Sequence, residues 1–189
     1  PNVTELLTNA TRTPPAGNWH REAHALVALA RRSPARAAVP LRAFVKDPQW
    51  HVRMYAARTA AILEEEAILE RLGYDPVDQV REAALPVLRR LKGPGIEPWF
   101  IDALKRNDYQ LLLTVASEMR DLPPTPALTT ALAAALTRLT EERIETSRDT
   151  RLALLERLVA VGDANFAGTV IPLLRDFDIT VAEAAAVAI

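Results

Sequence analysis

The chain has 189 residues, of which 49% are hydrophobic and 5% aromatic, and its 23 basic and 24 acidic residues give a formal net charge of −1. This balance excludes the basic surface with which most nucleic-acid-binding proteins hold phosphates, and it gives no attraction for an anionic membrane. Since the chain has no cysteine, disulfides, thiolate chemistry and cysteine-ligated zinc are excluded as well. The composition indicates no cofactor and no particular compartment.

The N-terminal part of the chain predicts a short helix followed by a helix pair. Val3–Ala10 is the short helix, and the Pro- and Gly-containing segment 13–17 ends it. Asn18 is the predicted cap of the next helix, and a partner helix is expected over residues 35–46. The residues predicted to face the core from the Asn18 helix are Ala23, Leu26, Val27 and Ala30.

One pattern occurs twice in the middle of the chain: aspartate, proline, three variable residues, valine and arginine. The first copy begins at Asp47 and the second, 28 positions later, at Asp75. Aspartate is a favoured helix N-cap, and proline at the first helical position gives up an N–H that has no partner inside the helix. Each copy therefore predicts the start of a helix, and its valine begins a stripe of residues that faces the core.

The rest of the chain continues the alternation of a shorter helix with a more strongly patterned one. The expected cap positions are Asn107, about Glu145, and Asp176. Leu113 and Ala182 stand where the pattern has arginine, so a continuous row of arginines is not expected. The further predicted helices cover residues 64–73, 96–106, 107–122, 128–139, 145–161 and 164–174, with a last one from Asp176.

This alternation resembles the HEAT repeat, especially its short bacterial form found in phycobilin-lyase-type proteins. The pattern is most complete in the copies at Asp47 and Asp75. The resemblance covers nearly the whole chain and implies an all-α fold, a right-handed α-solenoid of stacked antiparallel helix pairs with the second helices lining a concave surface. Residues 1–189 are then a single array. Because the chain starts at Pro1 and stops at Ile189 within a helical pattern, we expect it to be part of a longer protein.

The two patterned arginines, Arg53 and Arg81, are interpreted as structural. On a helix with 100° per residue they lie beside the buried stripe and toward a neighbouring repeat. Each could donate charge-assisted hydrogen bonds to a capping aspartate there.

No group of residues in the sequence indicates catalysis. His20 and His24 have the i, i+4 spacing that can hold a metal on one helix. However, His51 is the only other histidine, and Arg21 stands where the metalloprotease helix has its glutamate. We therefore expect neither a metal site nor enzymatic activity in this chain.

The predicted binding surface is centred on the helix that follows Asp47. Trp50, Met54 and Arg58 lie opposite its buried stripe, and an exposed tryptophan is typical of a binding hot spot. The alternative for Trp50 is that its ring folds back onto the preceding repeat. Equivalent places in the next two units extend the surface into a row, and the predicted partner-binding residues are Trp50, Met54, Arg58, Glu82, Arg89, Thr114 and Glu118.

The leading functional hypothesis is a non-catalytic interaction scaffold that presents a concave helical surface to a protein or peptide, and not to nucleic acid or a membrane. A second hypothesis is a HEAT-repeat module of a larger bacterial enzyme, because residues 145–151 are similar to segments of cyclophilin-type prolyl isomerases that carry such repeats. A third is a HEAT-like DNA glycosylase or bilin lyase. The net charge of −1 argues against the glycosylase, whereas the bilin lyase stays open.

Overall fold

The computed structural model describes residues 2–12, 19–161 and 166–189, and all regular secondary structure in these ranges is helical. The prediction of an all-α fold is confirmed. None of the helices in these ranges is long and apolar enough to cross a membrane. The chain divides into two compact units, residues 1–92 and 93–189. The predicted cap Asn18 and the predicted helix start at residue 164 lie outside the described residues.

The core of the first unit lies between α2, α4 and α6: α2 packs on α4, and α4 packs on α6. We call these three the second helices of their pairs. Their inward faces are mostly alanine, valine and leucine, so the backbones approach closely without large side chains. On α2 the predicted core residue Val27 is only half-buried, while Leu29 is fully buried. The helices are α1 (Val3–Ala10), α2 (His20–Arg32), α3 (Pro34–Phe44), α4 (Trp50–Leu63), α5 (Glu66–Leu72) and α6 (Asp78–Lys92).

The second unit repeats this arrangement with longer and less regular connections. Its helix α10 packs on α8, α9 and α12, and leucine dominates the shared core. Short 3-10 turns at Gly93–Ile96, Glu145–Ser147 and Ile171–Arg175 lead into or extend the helices. The α-helices are α7 (Glu97–Ala103), α8 (Tyr109–Glu118), α9 (Pro126–Glu142), α10 (Arg148–Val161), α11 (Ala167–Val170) and α12 (Ile179–Ala188).

The two patterned aspartates do not cap their helices as predicted. The Asp47 carboxylate accepts the backbone N–H of Gln49 at 2.8 Å, and the Asp75 carboxylate accepts that of Val77 at 3.0 Å. An aspartate that bonds the amide two residues on forms a turn of its own. The helix therefore begins three residues after each aspartate, and the proline lies in the turn rather than in the first helical position.

The cap predicted at Asn107 is also displaced, by one residue. The side chain of Asp108 accepts the backbone N–H of Leu111 at 2.9 Å and caps α8, and the side chain of Asn107 is exposed. The carboxylate adds a negative charge at the positive end of the helix. Of the two adjacent polar residues, the charged one thus takes the capping position.

The predicted contact of Arg53 with an aspartate of the neighbouring helix pair is present, although this aspartate forms a turn rather than a cap. Its Nε and Nη2 atoms donate to the two carboxylate oxygens of Asp75 at 2.7 and 2.9 Å. Its Nη1 also donates to the carbonyls of Asp47 and Pro48 at 2.9 and 3.0 Å. The hydrogen bond to Asp75 is the main reason that the pKa of Arg53 is raised. One guanidinium therefore joins the aspartate turn of its own helix pair to that of the next.

Arg81 is buried, and its Nε donates to the backbone carbonyl of Asp75. It holds the turn before its own helix in the same way as Arg53 holds the Asp47 turn. This contact supports the structural interpretation of Arg81.

A third arginine of this type occurs in the second unit, where sequence reasoning did not identify it. Arg151 near the start of α10 is fully buried and forms an ion pair with Asp176, whose side chain is also fully buried. Asp176 in turn accepts the backbone N–H of Asp178 at 2.8 Å, which is the turn seen at Asp47 and Asp75. The arginine-to-aspartate contact thus recurs in both units, although the residues around Arg151 do not match the sequence pattern.

Candidate partner-binding surfaces

The open side of α4 carries the three residues predicted to form the centre of the binding surface. Trp50 and Met54 are half-buried and Arg58 is exposed. Ala57, which lies on the same side of the helical wheel, is fully buried, so the open side is narrower than the wheel indicates. The binding role of these residues stays a prediction.

Trp50 is the end ring of a stack of four aromatic side chains, which we call the tryptophan–histidine stack. The rings follow in the order His20, Trp19, His51 and Trp50, with centroid distances of 3.8, 4.8 and 3.7 Å. The planes of neighbouring rings differ by 27°, 13° and 26°. Two rings come from the start of α2 and two from the start of α4. Trp50 therefore rests on His51, and through His51 it is connected to the preceding helix pair.

The ring nitrogens of Trp19, His51 and Trp50 in this stack are accessible. In the described part of the chain, no indole or imidazole nitrogen of Trp19, His51 or Trp50 is among the buried polar atoms that lack a partner, and none of them makes a hydrogen bond. These N–H groups consequently face water rather than protein acceptors. A bound partner could accept hydrogen bonds from them.

Tyr55 connects the stack to Arg58. Its hydroxyl forms a 3.0 Å hydrogen bond with Nε2 of His24, and its ring also lies 5.7 Å from Trp19. The Arg58 guanidinium lies over the Tyr55 ring at 4.9 Å. Among the described residues, Arg58 has no carboxylate partner. The cluster is therefore an aromatic surface, and the guanidinium at its edge, that of Arg58, is not neutralised by a carboxylate in the described ranges.

A recurring sequence signal could have identified this cluster. A Trp-His dipeptide stands at 19–20 and again at 50–51, and each is followed four residues after the histidine by another ring, His24 or Tyr55. All three histidines of the chain fall in these two segments. Only the packing of α2 on α4 shows that the two segments form one cluster.

The other predicted residues are divided between the units. Glu82 and Arg89 lie on α6 in the first unit and are half-buried. Thr114 and Glu118 lie on α8 in the second unit and are likewise half-buried. The row from Met54 to Glu118 therefore stays a prediction.

The second unit has an open groove between α10 and α12, with a volume of about 500 Å³. We call it the α10–α12 groove. Leu152, Leu155 and Val159 form its α10 wall, and Ala184 and Val187 are part of its α12 wall. No sequence motif predicted this groove, because it depends on the packing of α10 beside α12.

The α10 wall uses the helix face that was predicted as the open side of α4. Leu152 directly follows Arg151 just as Met54 directly follows Arg53, and Glu156 has the place of Arg58. The shared arginine-to-aspartate contact fixes this correspondence. Equivalent sides of α4 in the first unit and α10 in the second are thus solvent-facing. The α4 side carries aromatic and basic residues, whereas the α10 side carries apolar and acidic residues.

The described residues contain no group of three or more His, Asp or Glu side chains placed to hold a metal ion. His24, one half of the i, i+4 histidine pair, uses Nε2 to contact the Tyr55 hydroxyl.

Residues 145–151, on which the isomerase hypothesis rests, make contacts that stabilise the fold. Ser147 is buried, its hydroxyl donates to the carbonyl of Ile144 at 2.6 Å, and it accepts from Nε of Arg151 at 3.1 Å. These residues hold the start of α10.

No protein-family model matches the chain, and no curated protein is significantly similar to it.

Proposed function

We propose that this chain is a HEAT-like array, a right-handed α-solenoid, and that it acts as a non-catalytic scaffold for a protein or peptide partner. The partner binds the open faces of the second helices, with one apolar side chain anchored near Trp50.

The repeated arginine-to-aspartate contact supports the array. Arg53 bonds Asp75 in the first unit, and Arg151 bonds Asp176 in the second. In each case the arginine lies early in a second helix and the aspartate forms the turn before the next second helix. Each contact thus joins one helix pair to the next. Repeat proteins depend on such interfaces between neighbouring repeats for their stability. An array should also be elongated, with a radius of gyration from X-ray scattering above the value of about 16 Å for a compact globule of this length.

The observation that carries the binding proposal is the cluster on α2 and α4. Binding hot spots are enriched in tryptophan, tyrosine and arginine, because these side chains combine large apolar area with a polar group. Trp50, Tyr55 and Arg58 supply all three types on neighbouring turns of one helix. Trp50 is half-buried in a ring stack, so its ring is already ordered and loses little conformational entropy when a partner covers it.

The proposal is tested by selecting peptides from a displayed random library on the wild-type protein and measuring their affinity for Trp50→Ala. Removal of a hot-spot tryptophan should weaken binding by about 2 kcal/mol, or roughly thirtyfold. Trp99→Ala is the matched control, since Trp99 is also half-buried but lies in the second unit on α7. It should leave the affinity unchanged.

Thermal unfolding of the same variants separates binding from packing. A lower melting temperature for Trp50→Ala with normal affinity would leave only a structural role for Trp50. An unchanged melting temperature together with an unchanged affinity would contradict both roles. Failure of any displayed peptide to be enriched over an uncoated surface would contradict the scaffold proposal itself.

A further inference from the structure

The α10–α12 groove differs in chemistry from the tryptophan–histidine stack and lies in the other unit. We infer that it is a second binding surface and that it receives an amphipathic helix, with the apolar face of that helix in the groove and lysine or arginine along its flanks. This goes beyond the proposed function, since none of the seven predicted partner-binding residues, from Trp50 to Glu118, lines the groove.

The walls of the groove have the spacing of two neighbouring helix faces. Leu152, Leu155 and Val159 stand at i, i+3 and i+7 on α10, and Ala184 and Val187 stand at i and i+3 on α12. The Val187 side chain is 89% exposed. Apolar side chains along both sides of a trough gain free energy when apolar surface covers them, which is how a helix binds in a groove.

The backbone of the groove favours a helical partner over an extended one. Both walls are α-helices, whose backbone N–H and C=O groups are bonded within the helix except in the end turns. The groove therefore offers no unpaired strand edge to which an extended peptide could add its own backbone hydrogen bonds. A partner that covers this surface has to satisfy its own backbone groups, and a helix does so.

The charges that line the groove are all negative. Glu156 and Glu183 are the ionisable residues of the lining, and no lysine, arginine or histidine belongs to it. Glu156 is 66% exposed and contacts only its neighbour Arg157, at 2.8 Å. Glu183 is exposed and has no cationic partner among the described residues. Basic flanks on the bound helix would neutralise the Glu183 carboxylate and place a second cation beside Glu156, whereas acidic flanks would be repelled.

The test uses a synthetic amphipathic peptide of about 18 residues, or five turns, with leucine and alanine on one face and lysine on the other. Two companion peptides are needed, one with glutamate in place of every lysine and one with the first peptide's composition in scrambled order. The double variant Glu156→Lys/Glu183→Lys reverses the groove charge at exposed positions. Glu145→Lys is the control, because Glu145 is exposed in the same unit but outside the groove lining.

We expect the lysine peptide to bind wild type and Glu145→Lys equally well, and at least tenfold more tightly than the scrambled peptide. The double variant should bind it about tenfold more weakly, since two attractive rim pairs become repulsive. The same variant should gain affinity for the glutamate peptide. Trp50→Ala should bind the lysine peptide as wild type does, so this result is independent of the proposed function.

Four outcomes would overturn the inference. The scrambled peptide could bind as tightly as the amphipathic one, or Glu145→Lys could weaken binding as much as the double variant. Loss of binding in Trp50→Ala would show that the peptide occupies the other surface. A protein that dimerises in sedimentation experiments and becomes monomeric on groove charge reversal would assign the groove to a second copy of the chain.

Discussion

Replacing Arg53 by methionine should destabilise the first unit by about 2–3 kcal/mol. Methionine keeps much of the apolar stem of arginine but removes the guanidinium, so the change isolates the polar contacts. Arg53 donates two hydrogen bonds to the Asp75 carboxylate and two to the carbonyls of Asp47 and Pro48. Without Arg53, the Asp75 carboxylate keeps the hydrogen bond from the Val77 backbone N–H but loses its cation.

The magnitude follows from the burial of the pair. The side chains are 14% exposed at Arg53 and 5% at Asp75. Breaking a fully buried ion pair costs about 3–5 kcal/mol because a charge is left without a partner, whereas a solvent-exposed pair contributes about 0–1 kcal/mol. Because Arg53 retains some contact with water, its loss should lie between these limits and nearer to the buried one.

The assay is equilibrium urea unfolding followed by circular dichroism, with Arg90→Met as the control. Arg90 contacts Glu64 at the same distance, 2.7 Å, in the same unit, but the two side chains are 59% and 54% exposed. Its removal should change the unfolding free energy by no more than about 0.5 kcal/mol. A double-mutant cycle with Asp75→Asn should show a coupling of about 1–3 kcal/mol. Equal effects at Arg53 and Arg90, or a coupling near zero, would refute the argument from burial.

Three further predictions concern Arg151, Arg81 and Tyr109. Arg151→Met should cost about 3–5 kcal/mol in the unfolding free energy of the second unit, because Arg151 and Asp176 are both fully buried; urea unfolding tests this, and a loss below about 1 kcal/mol would contradict it. Arg81→Leu should lower stability by about 1–3 kcal/mol and leave the affinity for selected peptides unchanged, whereas lost affinity at an unchanged melting temperature would reverse the structural assignment. The pKa of Tyr109 is raised, first by burial and then by the negative charge of Glu142, so its phenolate absorbance should develop at higher pH than in the unfolded chain. Since the neutral phenol is favoured in the folded state, this contribution to stability is complete below the unfolded pKa and is lost as the pH rises through the folded one; coincident titration of the folded and unfolded chains would contradict it.

The candidate surfaces were accessible to sequence reasoning to different degrees. Helical periodicity measured from Val52 predicts the outward direction of α4, so Trp50, Met54 and Arg58 could be named from the sequence. The contact between Trp19 and His51 could not, because it joins two helices whose relative placement no local pattern specifies. The α10–α12 groove shows the same limitation more strongly, since its two walls come from helices in different pairs.

Local sequence patterns were enough to predict that this protein is all-α, where most of its helices lie and that Arg53 reaches an aspartate of a neighbouring repeat. These properties follow from helical periodicity, from proline and glycine between the helices, and from a repeated pattern, all of which act within a few turns of chain. Which aspartates form caps and which form turns depends on the packing of the helices, because a carboxylate has several amides within reach. The tertiary structure also placed Arg151 in the same structural position as Arg53, although the residues around it do not match the pattern. An arginine that is fully buried needs a carboxylate beside it, and only the folding of α12 beside α10 brings Asp176 to that place.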